Sequence, residues 1–217
     1  MNVDKIVQKY FVGGNILPTI EVFDNSNIYQ VYQDVVNLLK DNPDIELSVL
    51  QIFSYCFYEI LDNALIHSGK NCGTVVMRYL PNKHRIQFLV GDDGIGVRNS
   101  LSQNPIYADI DEADALVRCV EDQVTDGQGM GFGLFSTMKM VQNTKAQMII
   151  HSGTHILLTD GSVLNIQEAE HWQGTIVFVD IQSNVEVEPN KILDYRADCE
   201  DEYNSEFENN DELKELW

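Results

Sequence analysis

Basic residues are scarce in this chain. Fourteen Lys and Arg stand against 34 Asp and Glu among 217 residues, giving a formal net charge of −20 and a pI near 4.3. A field of that sign repels nucleic acid and anionic membranes, so neither is expected as a partner; metal ions or a basic protein fit better. Cysteine is sparse as well. Cys56, Cys72, Cys119 and Cys199 are far apart and form no C-x-x-C pair, which argues against a disulfide framework or a zinc site. No charged stretch leads into an apolar core of signal-peptide length, and no window approaches the roughly 18 apolar residues of a membrane span. The expected location is the cytoplasm.

What is present suits one well-packed domain, expected over residues 1–185. The remainder, 186–217, carries twelve acids against Lys191, Arg196 and Lys214, a balance of −9, and reads as an acidic tail. After a short polar start, Ile16 to Phe23 has strand composition, and Asp24 to Asn27 is a turn leading into a helix that runs to about Leu39. From Glu46, Leu47, Leu50, Phe53, Phe57, Ile60, Leu61, Ala64 and Leu65 recur at helical spacing until Ser68-Gly69. Gly73 to Leu80 and Arg85 to Val90 form a hairpin around Pro81 to His84. Val97 to Asp126 reads as a long acidic loop with a short helix around Glu112 to Glu121. A helix over Leu134 to Gln142 follows, then strands at Ala146 to His151, Ile156 to Leu158 and Gly174 to Ile181. The segment 152–173 has no evident role.

Three segments carry chemistry. In the helix from Glu46, Glu59, Asn63 and His67 lie four apart and form one polar stripe. A carboxamide oxygen such as that of Asn63 suits Mg²⁺, and a carboxylate one turn earlier, Glu59, suits a general base. Taken alone, this stripe could be a solvated helix face. In Asp92-Asp93-Gly94-Ile95-Gly96, an Asp at a strand end can accept a bond from an exocyclic amine while the glycines admit a flat base; a tight Asp-Gly turn is the plain alternative. Gly127, Gly129, Gly131 and Gly133 alternate just before a helix, an arrangement that points backbone N–H groups at phosphate oxygens. No Gly-Lys-Ser/Thr follows, which removes a Walker loop, and a helical segment instead of a strand precedes, which removes the dinucleotide pattern. Met130, Phe132, Leu134 and Phe135 argue against a flexible linker.

In this order the segments resemble the N, G1 and G2 boxes of the GHKL ATPase superfamily, the group of DNA gyrase and the histidine kinases, over roughly Ile16 to Ile181. The resemblance implies the Bergerat fold: a two-layer α/β sandwich, with a mixed sheet, helices on one face and an ATP lid at about 97–126. It implies ATP and Mg²⁺ as cofactors. Asn63 would hold the metal and Asp92 the adenine, with Gly94 and Gly96 shaping the base pocket. Gly129, Gly131 and Gly133, with Leu134 following, would close on phosphates, and Thr175 would support the adenine end.

Within the superfamily, Glu59, Asn63, Ala64 and His67 are similar to the E-x-x-x-N-A-x-x-H pattern of stand-alone anti-sigma-factor serine kinases, as is the lid end Val124-Thr125-Asp126-Gly127. That likeness implies transfer of the γ-phosphate to Ser or Thr of a regulatory partner, with Glu59 catalytic. The competing expectation is an ATPase or ATP-gated switch without kinase activity. A homodimer is compatible with either. His67 is the first histidine, so no phosphoacceptor precedes the N box, and Ile66 stands where histidine kinases often place a Lys.

Overall fold

The computed structural model describes residues 2–13, 16–128, 131 and 133–193. A five-stranded sheet of order β1-β2-β3-β5-β4 organises them. The strands are β1 (Thr19–Asp24), β2 (Cys72–Leu80), β3 (Arg85–Gly91), β4 (Gln147–Thr159) and β5 (Leu164–Gln182). The helices are α1 (Val3–Tyr10), α2 (Ile28–Lys40), α3 (Leu47–Ile66), α4 (Val97–Leu101), α5 (Glu112–Arg118), α6 (Gly133–Asn143) and α7 (Pro189–Leu193).

Alternation along the strands sorts the side chains into two layers. Val75, Met77 and Tyr79 of β2, Ile86, Phe88 and Val90 of β3, and Val177, Val179 and Ile181 of β5 face the main core with α2, α3 and α6. The α3 helix is its centre. Phe53 and Phe57 stack at 5.3 Å and both present edges to Phe88, at 5.3 and 5.5 Å. Each such ring, fully buried, contributes roughly 2–3 kcal/mol by leaving water. Contrary to the sequence reading, α3 is by length and composition apolar enough to cross a membrane. Its apolar side chains are instead spent inside the domain, where Val49, Ile52, Phe53, Cys56, Phe57 and Leu61 are buried.

Four expectations change. The sheet is antiparallel at every described pairing rather than mixed, because β2–β3 and β4–β5 are hairpins and β5 runs back along β3. Helices do not keep to one face. The segment read as a short polar start is α1, whose Ile6 and Tyr10, with Phe11, cover Val76, Leu89, Ile176 and Phe178 on the other side. Lys9 and Tyr10 reach His151 of β4, with Tyr10 Oη 3.0 Å from Nδ1, and Arg78 binds the carbonyls of Val12 and Ile16 at 3.4 Å each. The stretch between Leu158 and Gly174, where no strand was expected, holds strand as well: β4 and β5 continue past the sheet as a long arm that turns at Asp160 to Val163. Finally, Val187 and Ile192 are buried in the main core, so packing continues past the boundary drawn at residue 185. The tail from 194 lies outside the described residues.

Candidate functional site

Helix α3 is apolar nearly all round, and its polar stripe survives where α6 begins. A methyl on Gly133, the first residue of α6, would meet Asn63 Nδ2 at 2.9 Å and Glu59 Oε2 at 3.0 Å. Glycine is thus required there by close approach, and Glu59 and Asn63 share one small space at a helix N-terminus. Burial pushes the Glu59 carboxyl up to about 7, and the neighbouring Asp62 charge adds to it. Such a group gains a proton readily near neutral pH, as a general base must.

The third member of the stripe, His67, caps α3 and bonds elsewhere. Its Nδ1 lies 2.7 Å from Asp126 Oδ2, which also accepts from Ser100 Oγ at 2.7 Å; Oδ1 accepts from the Gln128 N–H at 2.9 Å. Burial favours the neutral acid of Asp126, but the bonds from Ser100, Gln128 and His67 prevail and hold it below the ordinary carboxylate range. Asp126 therefore ties the end of α3, helix α4 and the start of the glycine segment together.

The turn after β3 abuts the same helix end. The Ile95 N–H donates to Ser68 O at 2.8 Å, and Gly94 lies so close to Ser68 that any Cβ would collide with it. Asp92 is buried, and its Oδ1 accepts from the N–H groups of Gly94 at 2.8 Å and Thr175 at 3.3 Å. Oδ2 takes part in neither of these bonds. Burial pushes the Asp92 carboxyl up to about 6, against the opposing pull of those two N–H groups. Gly96 sits at φ 79, in the left-handed region, and its N–H-bearing successor Val97 is held by Ser152 Oγ at 3.0 Å. Thr175 lies beside Asp92 in the structure, as its carbonyl accepts from the Asp92 N–H at 2.9 Å.

In the glycine segment expected to face phosphates, Gly131 has φ 74 against the backbone of Val124, Leu134 packs on the main core, and Gly129 lies outside the described residues. In the stretch 97–126, expected as a lid, Val97, Leu101, Ala115, Leu116 and Val120 are buried and form a platform packed on the main core. The platform is pinned to the β4–β5 arm by Glu112, whose Oε2 accepts from Thr154 N at 2.8 Å and Thr154 Oγ1 at 2.6 Å. Both arginines of that stretch are committed: Arg98 Nε donates to Ile110 O at 3.1 Å, and Arg118 pairs with Glu121 at 2.7 Å.

Several residues escaped the sequence reading. Ser152, Trp172 and Gln173 contact the Asp92 turn, and Glu112 and Ser100 anchor the platform. The signal available was the Trp-Gln pair directly before Gly174-Thr175: a large aromatic and an amide donor where strand alternation breaks.

The residues suit a magnesium nucleotide. A carboxamide and a carboxylate share the cradle that Gly133 leaves open, and a carboxylate oxygen is held ready at the other end. The sequence model of the histidine kinase-, DNA gyrase B-, and HSP90-like ATPases matches residues 50–183. A search of curated proteins finds no match. Because that span covers more than half of the chain and runs from α3 through β5, this protein belongs to the histidine kinase-, DNA gyrase B- and HSP90-like ATPases and binds ATP.

Proposed function

We propose that the protein is a cytoplasmic regulatory kinase that transfers the γ-phosphate of MgATP to a Ser or Thr hydroxyl of a partner protein. The observation that carries this is Glu59, a carboxyl poised near 7 and facing Gly133 beside Asn63. Glu59 accepts the hydroxyl proton as the oxygen forms its bond to the γ-phosphorus. The bond from that phosphorus to the bridging oxygen breaks, and ADP leaves with its electrons. Mg²⁺ held by Asn63 would neutralise charge on the phosphates. Asp92 would accept the adenine amine, supported by Thr175. The net charge of −20 suits a basic partner and favours neither nucleic acid nor a membrane surface.

A second reading, an ATPase or ATP-gated switch, is favoured by the two arginines near the lid, Arg98 and Arg118, being bonded within the platform. Transfer would then be slow or confined to water.

The test follows the terminal phosphate of labelled ATP in lysate of the source cell, with wild type and Glu59→Ala. Label on a discrete protein with wild type only is the expected result. Free phosphate or unchanged ATP in both samples transfers the conclusion to the switch.

A further inference from the structure

The turn that carries Asp92 is held from behind by side chains outside the three motifs. Regular pairing of β3 with β5 ends at Gly91 and Ile176, so the carbonyls of the turn have no ladder donor of their own. Just there the β4–β5 register jumps: Ser152 pairs with Thr175, but Gly153 pairs with Trp172. Gln173 and Gly174 are thus a bulge, the kind of irregularity that re-aims side chains beside a site. It turns two donors onto the turn. Trp172 Nε1 donates to Asp92 O at 3.3 Å, and Gln173 Nε2 donates to Gly94 O. The bulge itself is fastened by Ser152 Oγ, which donates to Gly174 O at 2.8 Å.

We infer that Trp172 and Gln173 are positioning residues for base recognition: by holding the carbonyls of Asp92 and Gly94 they fix the direction of the Asp92 carboxylate and so set the preference for adenine over guanine nucleotides. The inference rests on the reading of Asp92 as the acceptor of the base amine. The logic is chemical. Adenine presents an amine donor where guanine presents a carbonyl acceptor. A carboxylate discriminates between them only if it cannot swing away, and both N–H groups that fix Asp92 Oδ1 belong to peptides beside the bulge, at Gly94 and Thr175. Gln173 is exposed, so its removal disturbs no core packing, and Trp172→Phe keeps an aromatic ring against Ile176, Phe178 and α1 while deleting the N–H.

The experiment is calorimetric titration of the full chain with MgATP and MgGTP, using wild type, the double variant Trp172→Phe/Gln173→Ala, and Asp92→Asn, with melting temperatures measured alongside. In the double variant ATP affinity is expected to fall about tenfold, the loss typical of one or two hydrogen bonds, with GTP affinity and melting temperature unchanged. A parallel fall for both nucleotides, or an unchanged ATP-to-GTP ratio, overturns the inference. If Asp92→Asn collapses the ratio and the double variant leaves it intact, the Asp92 reading stands and the positioning role fails. If Asp92→Asn leaves the ratio intact, both fall together.

Discussion

Glu59 shows what the site costs the fold. Its folded pKa of about 7 lies above the ordinary 4.5, so the folded chain binds more protons than the unfolded one between those values. Its stabilising contribution is whole below about pH 4.5 and is lost as pH rises through 7. Glu59→Gln keeps the shape without the charge. At pH 8 it should be more stable than wild type by about 3 kcal/mol, and at pH 4.5 equal to it, while turnover disappears. Urea unfolding of both proteins at the two pH values checks this; equal stability at pH 8 would mean that the carboxylate is well solvated. Gly133 is the complementary case. A methyl there must displace Asn63 Nδ2 or Glu59 Oε2, 2.9 and 3.0 Å away. Gly133→Ala should lower turnover about a hundredfold, the cost of misplacing reacting groups by an ångström, with little change in melting temperature. Steady-state kinetics beside a thermal melt separates that outcome from simple unfolding.

Among the elements, legibility followed the range of the interactions. Helix α3 and the β2–β3 hairpin were readable because local spacing and a local turn specify them. The motif residues Glu59, Asn63 and Asp92 were readable because each stands at a fixed place on such an element. Helix α1 was missed: it has eight residues, and only Ile6 and Tyr10 are buried, which is too little periodicity to detect. Of the β4–β5 arm, the strand at Ile156 to Leu158 was readable, but its return strand was missed because Glu168 and Glu170 interrupt the apolar pattern and the bulge at Gln173 and Gly174 breaks its alternation. The direction of the strands depends on pairing between distant segments, which no local pattern records. The end of the packed domain was misplaced because Val187 and Ile192 are isolated apolar residues in an acidic context. That last point is testable. A chain ending at Leu193 should keep the wild-type stability, whereas one ending at Asn184 loses two buried side chains and the bond from Val187 N to Ser48 Oγ at 3.2 Å. The expected cost is roughly 2–5 kcal/mol, read by chemical denaturation; equal stability would show that α7 contributes nothing.

At the scale of the whole molecule, charge dominates. A chain at −20 repels itself when compact, and added salt screens that repulsion. Raising NaCl from 20 to 500 mM should therefore raise the melting temperature by about 5 °C. A fall instead would mean that attractive pairs such as Arg85–Asp180, at 2.7 Å, outweigh the excess acid. The antiparallel ladder at the centre of the sheet has a consequence in time. Partners in β3 and β5 lie between 85 and 97 residues apart in the chain, from Gly91 with Ile176 to Arg85 with Gln182. Pairings of that range form slowly, because the intervening chain must be ordered first. During synthesis, a nascent chain that has not reached Thr175 already contains Glu59 and Asn63 but has no partner strand beneath Asp92. A ligand that binds only the folded chain therefore adds its stabilisation, by mass action, to a structure that includes this long-range pairing.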